Sequence, residues 1–326
     1  MEKMSISYSL INAKLSKNVA QLREQINDVS SEAVTGKRAD LSKFLSGRIG
    51  EAMLSQKALE DIQVDRGALQ LRDARIDIAQ RSLQSAQEGA EGLPARMLAA
   101  LGVDNKSDIK IIGRDAVSAL EKLFSSLNNR HGQRFLFAGD ATSTQPFEDP
   151  SQLISDVRQM AVTATDAADL QTQLDTYFNT PTGGWQANIY QGSASITDPD
   201  AVNGIDPAIT ELVRGLAVMA VAGDDAPPAL LTQDNASLRI AADTVASGQI
   251  NMIQLRSKLG VIQERLTEGL DALNSEELIL TEAFTNMTMR DQYEAATILK
   301  ELENNLEASY MLTARLSGLS LLNYLK

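Results

Sequence analysis

Residues 62–90 read IQVDRGALQLRDARIDIAQRSLQSAQEGA and place a large apolar residue at every seventh position, at Ile62, Leu69, Ile76 and Leu83. A seven-residue apolar repeat forms one stripe along an α-helix, and such a stripe packs against a similar stripe on another helix. Alanines fill intermediate places in the same stripe. The stretch therefore predicts a long helix of the coiled-coil type.

Similar apolar spacing recurs near both ends of the chain, in residues 11–33, 259–273 and 295–306. A single pair of helices cannot bury all of these stripes, so we expect helices of neighbouring copies to complete the packing. A helical bundle closed within one chain is the alternative. The residues predicted to form this assembly interface are Ile11, Leu15, Leu22, Ile26, Ile62, Leu69, Ile76, Leu83, Leu299, Leu302, Leu306, Leu316, Leu321 and Leu322.

The prolines divide the chain into three parts. All eight lie between Pro94 and Pro228, and none occurs in the flanking residues 1–93 and 229–326. Because a proline costs a helix interior about 3 kcal/mol, the flanks favour long helices around a middle insert. We predict a mainly α fold, in which long N- and C-terminal coiled-coil helices form an elongated helical core. The predicted boundaries are 1–139 and 229–326 for the core and 140–228 for the insert.

The insert is predicted to be a small, acidic α+β domain. It holds 2 basic and 13 acidic residues, a net charge of −11, within a chain whose formal net charge is −13. Apolar spacing predicts helices over residues 151–177 and 207–222, and the β-prone residues of 185–196 predict a short strand. Such an acidic domain is expected to face solvent.

The sequence offers little material for catalysis. The chain has no cysteine and one histidine, His131, so neither a thiolate or histidine metal cluster nor a nucleophile–base pair can be assembled. We predict no catalytic, cofactor-binding or metal-binding residue, and a packing role for the single tryptophan, Trp185. An enzyme that uses Trp185 and the acidic insert on glycans is an alternative, but it requires converging carboxylates that the sequence does not reveal.

Charge and hydropathy also limit the partners. The acidic balance argues against nucleic acid, because the sequence shows no cluster of basic residues dense enough to bind a phosphate backbone. No apolar run approaches the roughly 20 residues of a membrane span. Residues 1–15 lack the continuous apolar core of a cleaved signal peptide. If the protein is secreted, we expect a route that does not require such a signal.

Three short segments resemble bacterial flagellar axial proteins of the flagellin family. Residues 30–38, SSEAVTGKR, are similar to the family's joint after the first helix, and residues 319–325, LSLLNYL, are similar to its closing segment. Residues 132–139, GQRFLFAG, resemble the aromatic segment that leads from the helical core into the outer domain, which singles out Phe135, Phe137 and Gly139. The combination is closest to the family members that join hook and filament.

The resemblance implies a structural component of the bacterial flagellum, an adaptor at the hook–filament junction that is not an enzyme. It implies a ring or tubular layer of copies of the chain itself, with a hook-side junction protein, flagellin and a cytoplasmic export chaperone as further partners. It also implies an extracellular location, reached by the flagellar type III route without a cleaved signal peptide. The alternatives are flagellin itself and a soluble coiled-coil adaptor or secretion chaperone.

Overall fold

The computed structural model describes residues 2–324, and it describes the side chains of residue 10 and of residues 13–315. The chain forms two compact units. The terminal unit comprises Met1–Asp65 and Ala272–Lys326, and the central unit comprises Arg66–Asp271. The boundaries predicted at 139/140 and 228/229 both fall within the central unit, and the three-part division stays a prediction.

The fold is mainly α, as predicted, with very long helices near both ends of the chain. Two strands of two residues each, β1 (Arg130–His131) and β2 (Arg134–Phe135), pair antiparallel as a short hairpin. The elements are α1 (Glu2–Thr35), α2 (Leu41–Leu45), α3 (Ile49–Gly89), α4 (Leu93–Gly102), α5 (Lys106–Leu127), β1 (Arg130–His131), β2 (Arg134–Phe135), α6 (Ser151–Thr163), α7 (Ala167–Asn179), a π-helical turn (Trp185–Ile189), α8 (Pro207–Val221), α9 (Ala229–Gln233), α10 (Ala236–Thr288) and α11 (Gln292–Tyr324).

In the terminal unit, α1 and α11 run antiparallel. Near the middle of the pair, the Arg23 guanidinium donates to the Tyr310 hydroxyl oxygen at 2.6 and 2.9 Å. At one end, Gln292 Nε2 donates to the carbonyl oxygen of Val34 at 3.1 Å. The predicted pairing of the N- and C-terminal helices is therefore present within one chain.

The central unit has a continuous apolar core in which helices approach closely at glycines. A Cβ atom on Gly248 of α10 would lie 2.6 Å from the backbone nitrogen of Leu212 in α8. A Cβ atom on Gly113 of α5 would lie 2.3 Å from the backbone nitrogen of Gly223, just after α8. Because no other residue lacks a Cβ atom, these glycines allow α8 to pack directly against both neighbours.

The predicted strand over residues 185–196 is wrong. Trp185–Ile189 forms a π-helical turn, and beyond it Tyr190 pairs with Phe147 in an isolated bridge. The turn places Trp185 and Ile189, four residues apart, in the buried core, where packing outweighs the β propensity of the segment. Among the described residues of 140–228, the regular elements are helical, so the predicted β component of the insert is reduced to bridges.

The predicted helix over residues 151–177 is also divided. It ends at Thr163, and α7 begins anew at Ala167 because the Asp166 carboxylate accepts a hydrogen bond from the Asp169 amide at 2.9 Å. This is the arrangement of an N-cap, which favours a fresh helix start over continuation.

Candidate assembly interface

The predicted interface residues of α1 and α11 whose side chains the structure describes lie along the contact between these two helices. Half-buried side chains recur on both helices at steps of three or four residues, which is the spacing of a helical seam. The seam is narrow, because the residues flanking it on either side are exposed. The half-buried predicted residues are Leu15, Leu22, Ile26, Leu299, Leu302 and Leu306.

The predicted residues of α3 are more deeply placed. Ile62 is 4% exposed in the terminal unit, whereas Ile76 and Leu83 belong to the buried core of the central unit and Leu69 packs against it. These four side chains therefore hold α3 in place within one chain, and a role in contacts between copies stays a prediction. Ile11, Leu316, Leu321 and Leu322 lie outside the residues whose side chains are described.

Residues 137–140, which lead into the insert, are joined by backbone hydrogen bonds to residues 193–204 within it. The carbonyl oxygen of Phe137 accepts from the Gly204 amide at 3.0 Å, and that of Ala138 accepts from the Ser193 amide at 2.9 Å. Gly139 has φ +59°, and a Cβ atom there would lie 2.2 Å from the carbonyl oxygen of Ser193. Phe137 and Gly139 are buried and Phe135 is half-buried, and we call residues 137–140 with 193–204 the pinned base.

Tyr190 reinforces the pinned base from the core side. Its hydroxyl lies 3.0 Å from the carbonyl oxygen of Phe137 and 3.1 Å from that of Ser193. Burial raises the pKa of Tyr190 to about 12, so the hydroxyl keeps its proton at neutral pH. Its ring stacks with Phe147, whose ring also contacts the fully buried Trp185, which agrees with the packing role predicted for the tryptophan.

The structure reveals a second set of apolar residues that the sequence reading missed. On α3, Met53, Leu54 and Val64 are 67–71% exposed. On α10, Leu278 and Ile279 are 70% and 67% exposed. The available signal was the presence of large apolar residues between the steps of the main stripe, where the exposed face of a helix is normally polar.

The polar clusters of the central unit do not form a recognisable chemical site. Arg72 donates to Asp200 at 2.6 Å, which raises the pKa of the arginine, and Arg134 and Arg75 lie 3.3 and 3.6 Å from Asp198. The cavity beside them measures about 30 Å³, the room of a single water molecule. These ion pairs hold the chain around residues 198–200 against α3.

The described residues show neither a metal cluster nor a membrane-crossing helix. Among them, no group of three or more histidine, cysteine or acidic side chains is placed to hold a metal ion. No described helix combines the length and apolar character that a membrane crossing requires. His131 is half-exposed in β1, and no partner for a catalytic role is found beside it among the described side chains.

Comparison with known proteins identifies one part of the chain. No curated protein matches it significantly. Among solved structures, FlgL of Bacillus cereus is 14% identical with a TM-score of 0.49, covering 72% of this chain and 99% of that one. A putative flagellar hook-associated protein from Vibrio parahaemolyticus is 12% identical with a TM-score of 0.35, covering 83% and 96%. Residues 243–325, most of α10 and α11, match the family model of the bacterial flagellin C-terminal helical region, and over these residues the chain is therefore similar to flagellin.

Proposed function

We propose that this protein is a structural subunit of the bacterial flagellum that assembles with copies of itself through its terminal helices. The observation that carries the proposal is the match of residues 243–325 to the flagellin C-terminal helical region. The exposed apolar side chains of the terminal unit support it, because one chain leaves them without a partner surface.

Burial energetics give self-assembly a driving force. Fully burying a leucine, isoleucine or methionine side chain contributes about 1.5–3 kcal/mol. Met53, Leu54, Val64, Leu278 and Ile279 are each at least two-thirds exposed in the single chain. Covering these five in an assembly would contribute several kcal/mol, enough to offset part of the cost of association.

More specifically, we propose the hook–filament junction as the place of assembly. The aromatic segment of residues 132–139 and the LSLLNYL ending of residues 319–325 support this role over that of flagellin. The subunits would form a ring or tubular layer that meets a hook-side junction protein on one face and flagellin on the other. The role requires no catalysis, cofactor, nucleic acid or membrane insertion.

Export would precede assembly. The flagellar type III route fits a chain that has no cysteine to cross-link in transit. A cytoplasmic chaperone would cover the exposed apolar stripes before export, because such stripes otherwise promote aggregation.

Immunogold labelling of intact flagella tests the proposal. Label confined to the hook–filament boundary is expected, whereas label along the whole filament would indicate flagellin. A stable oligomer retained in the cytoplasm would indicate a soluble adaptor or chaperone. Removal of residues 316–326 is expected to abolish filament attachment while the insert still folds, and normal motile filaments after that truncation would contradict the proposal.

A further inference from the structure

Two oppositely charged surfaces in the terminal unit are each rich in exposed apolar side chains. Residues 37–57 hold five basic and two acidic residues, a net charge of +3. Residues 276–294 hold one basic and five acidic residues, a net charge of −4. The first segment spans α2 and the start of α3, and the second spans the end of α10 and the start of α11. Lys37 and Met289 join the two segments in an isolated bridge, while the exposed side chains of both stay open to a neighbouring copy.

The first surface, which we call the basic patch, surrounds the turn between α2 and α3. Lys43 and Arg48 are exposed there, and no described residue forms an ion pair with either side chain. Ile49 and Met53, in the first turns of α3, are 41% and 67% exposed. Phe44 is 40% exposed and carries the Arg38 guanidinium over its ring at 3.6 Å, which adds a cationic face to an apolar one.

The second surface, which we call the acidic patch, covers the end of α10 and the start of α11. Glu276 and Glu282 are exposed, and neither has an ion-pair partner among the described side chains. Leu278 and Ile279 lie between them in sequence. Tyr293 is 86% exposed, the highest value among the exposed large apolar side chains that the structure describes. Tyrosine is enriched among the residues that dominate binding energy at protein interfaces.

Two other basic side chains near the patches are already paired within the chain. Lys57 pairs with Asp61 at 3.0 Å, and Arg290 lies 3.5 Å from Glu294 and 3.7 Å from Glu32. Exposed apolar side chains together with unpaired charges are the composition of an interface that a complementary surface covers. Each patch combines apolar side chains with a charge of the sign opposite to the other's.

We infer that the basic patch of one copy binds the acidic patch of the next. The inference rests on the proposed self-assembly and names the surfaces that meet in it. Lys43 and Arg48 of one chain would face Glu276 and Glu282 of its neighbour, and the apolar residues would be buried between them. The complementary charges fix which surfaces meet and speed their encounter, while the apolar residues supply most of the affinity.

Charge reversal in the full-length chain tests this contact. The variant K43E/R48E and the variant E276K/E282K are each expected to weaken self-association by about tenfold or more, because like charges then face each other. The variant carrying all four changes is expected to associate nearly as the unmodified chain does. The measurement is sedimentation velocity over a range of protein concentrations, with circular dichroism to verify folding.

A matched control separates this contact from a general effect of net charge. K122E/K258E makes the same change in net charge as K43E/R48E, on exposed lysines of the central unit. Its association is expected to remain within about twofold of the unmodified chain. Salt concentration gives a second readout, because about 0.5 M salt screens the repulsion between like charges. It is expected to strengthen the self-association of K43E/R48E and of E276K/E282K relative to that of the unmodified chain.

Tyr293→Ala tests the apolar part of the contact. Because the ring is exposed in the single chain, its loss is expected to leave unfolding unchanged and to weaken association by about tenfold. Val103→Ala, at a site of the central unit that is 75% exposed, is the control. The inferred contact is overturned if both charge-reversal variants self-associate as strongly as K122E/K258E. It is also overturned if the four-site variant does not regain the self-association of the unmodified chain. A chain that stays monomeric in every form overturns the proposed self-assembly, and this contact with it.

Discussion

Replacing Gly248 by alanine tests the close approach of α8 and α10. The added Cβ atom would lie 2.6 Å from the Leu212 backbone nitrogen and 2.8 Å from its Cα atom. Because these are backbone atoms that cannot rotate away, the two helices must separate, at a cost of about 1–3 kcal/mol or slightly more. Alanine gains about 1 kcal/mol over glycine in helix propensity. We expect a net loss of up to about 2 kcal/mol in the free energy of unfolding.

Gly260 provides a control on the same helix. A Cβ atom there meets only the side chain of Gln80, at 3.7 Å, which is an ordinary contact. Gly260→Ala should therefore raise the free energy of unfolding by about 0.5–1 kcal/mol through helix propensity alone. The two identical chemical changes are expected to move stability in opposite directions.

Denaturant unfolding followed by tryptophan fluorescence measures both variants. The chain has one tryptophan, Trp185, which is fully buried in the central unit, so its signal reports the unfolding of the unit that contains both glycines. The transition midpoint should fall for Gly248→Ala and rise for Gly260→Ala. If Gly248→Ala is as stable as Gly260→Ala, the account of glycine-dependent packing between α8 and α10 is wrong.

Three further perturbations address other parts of the central unit. Asp200→Asn should lower the free energy of unfolding by about 1 kcal/mol, because it removes the charged partner of Arg72; an unchanged urea midpoint would contradict this. The amide and hydroxyl of Thr197, with the Ser195 hydroxyl, lower the pKa of Asp140. Ionised Asp140 therefore stabilises the fold above the ordinary carboxyl pKa, and this stabilisation is lost as pH falls through the lowered pKa of the folded chain. Asp140→Asn should flatten the stability-versus-pH curve in that range. Phe147→Ala should lower the free energy of unfolding by about 3–5 kcal/mol, measured by thermal or urea unfolding, because it leaves a cavity at the centre of the aromatic cluster. A loss below about 1 kcal/mol would show that the neighbouring side chains fill this cavity, and would contradict the prediction.

The long helices could be predicted from sequence because their signal is local. Apolar residues at steps of three, four and seven, in segments free of proline, specify a helix and one of its faces without knowledge of the rest of the chain. The spacing does not reveal whether the partner of that face lies in the same chain. Leu83 and Leu302 have the same spacing signature, yet Leu83 is fully buried within one chain and Leu302 is only half-buried.

The features that escaped prediction depend on distant residues. The π-helical turn at Trp185 forms among the rings of Phe124 and Phe147, which are remote in sequence, and of the nearer Phe178. The border between the two units falls inside α3 and α10, at residues 65/66 and 271/272, where no proline or glycine-rich stretch marks it. Such borders arise from where tertiary contacts cluster, and the linear pattern of residues does not encode them directly.

The pinned base makes the loops of the insert suitable for carrying foreign sequence. Residues 137–140 and 193–204 are hydrogen-bonded to each other at the two ends of residues 141–192. A change in the length of a loop between them therefore need not displace the helices outside this span. Within that span, Pro181 and Thr182 are exposed between α7 and the π-helical turn. An epitope tag or a fluorogenic peptide placed there would report the position of each subunit on a living cell, with the terminal helices left unmodified. The same fastening would allow natural relatives to vary the length of this region independently of their helical parts.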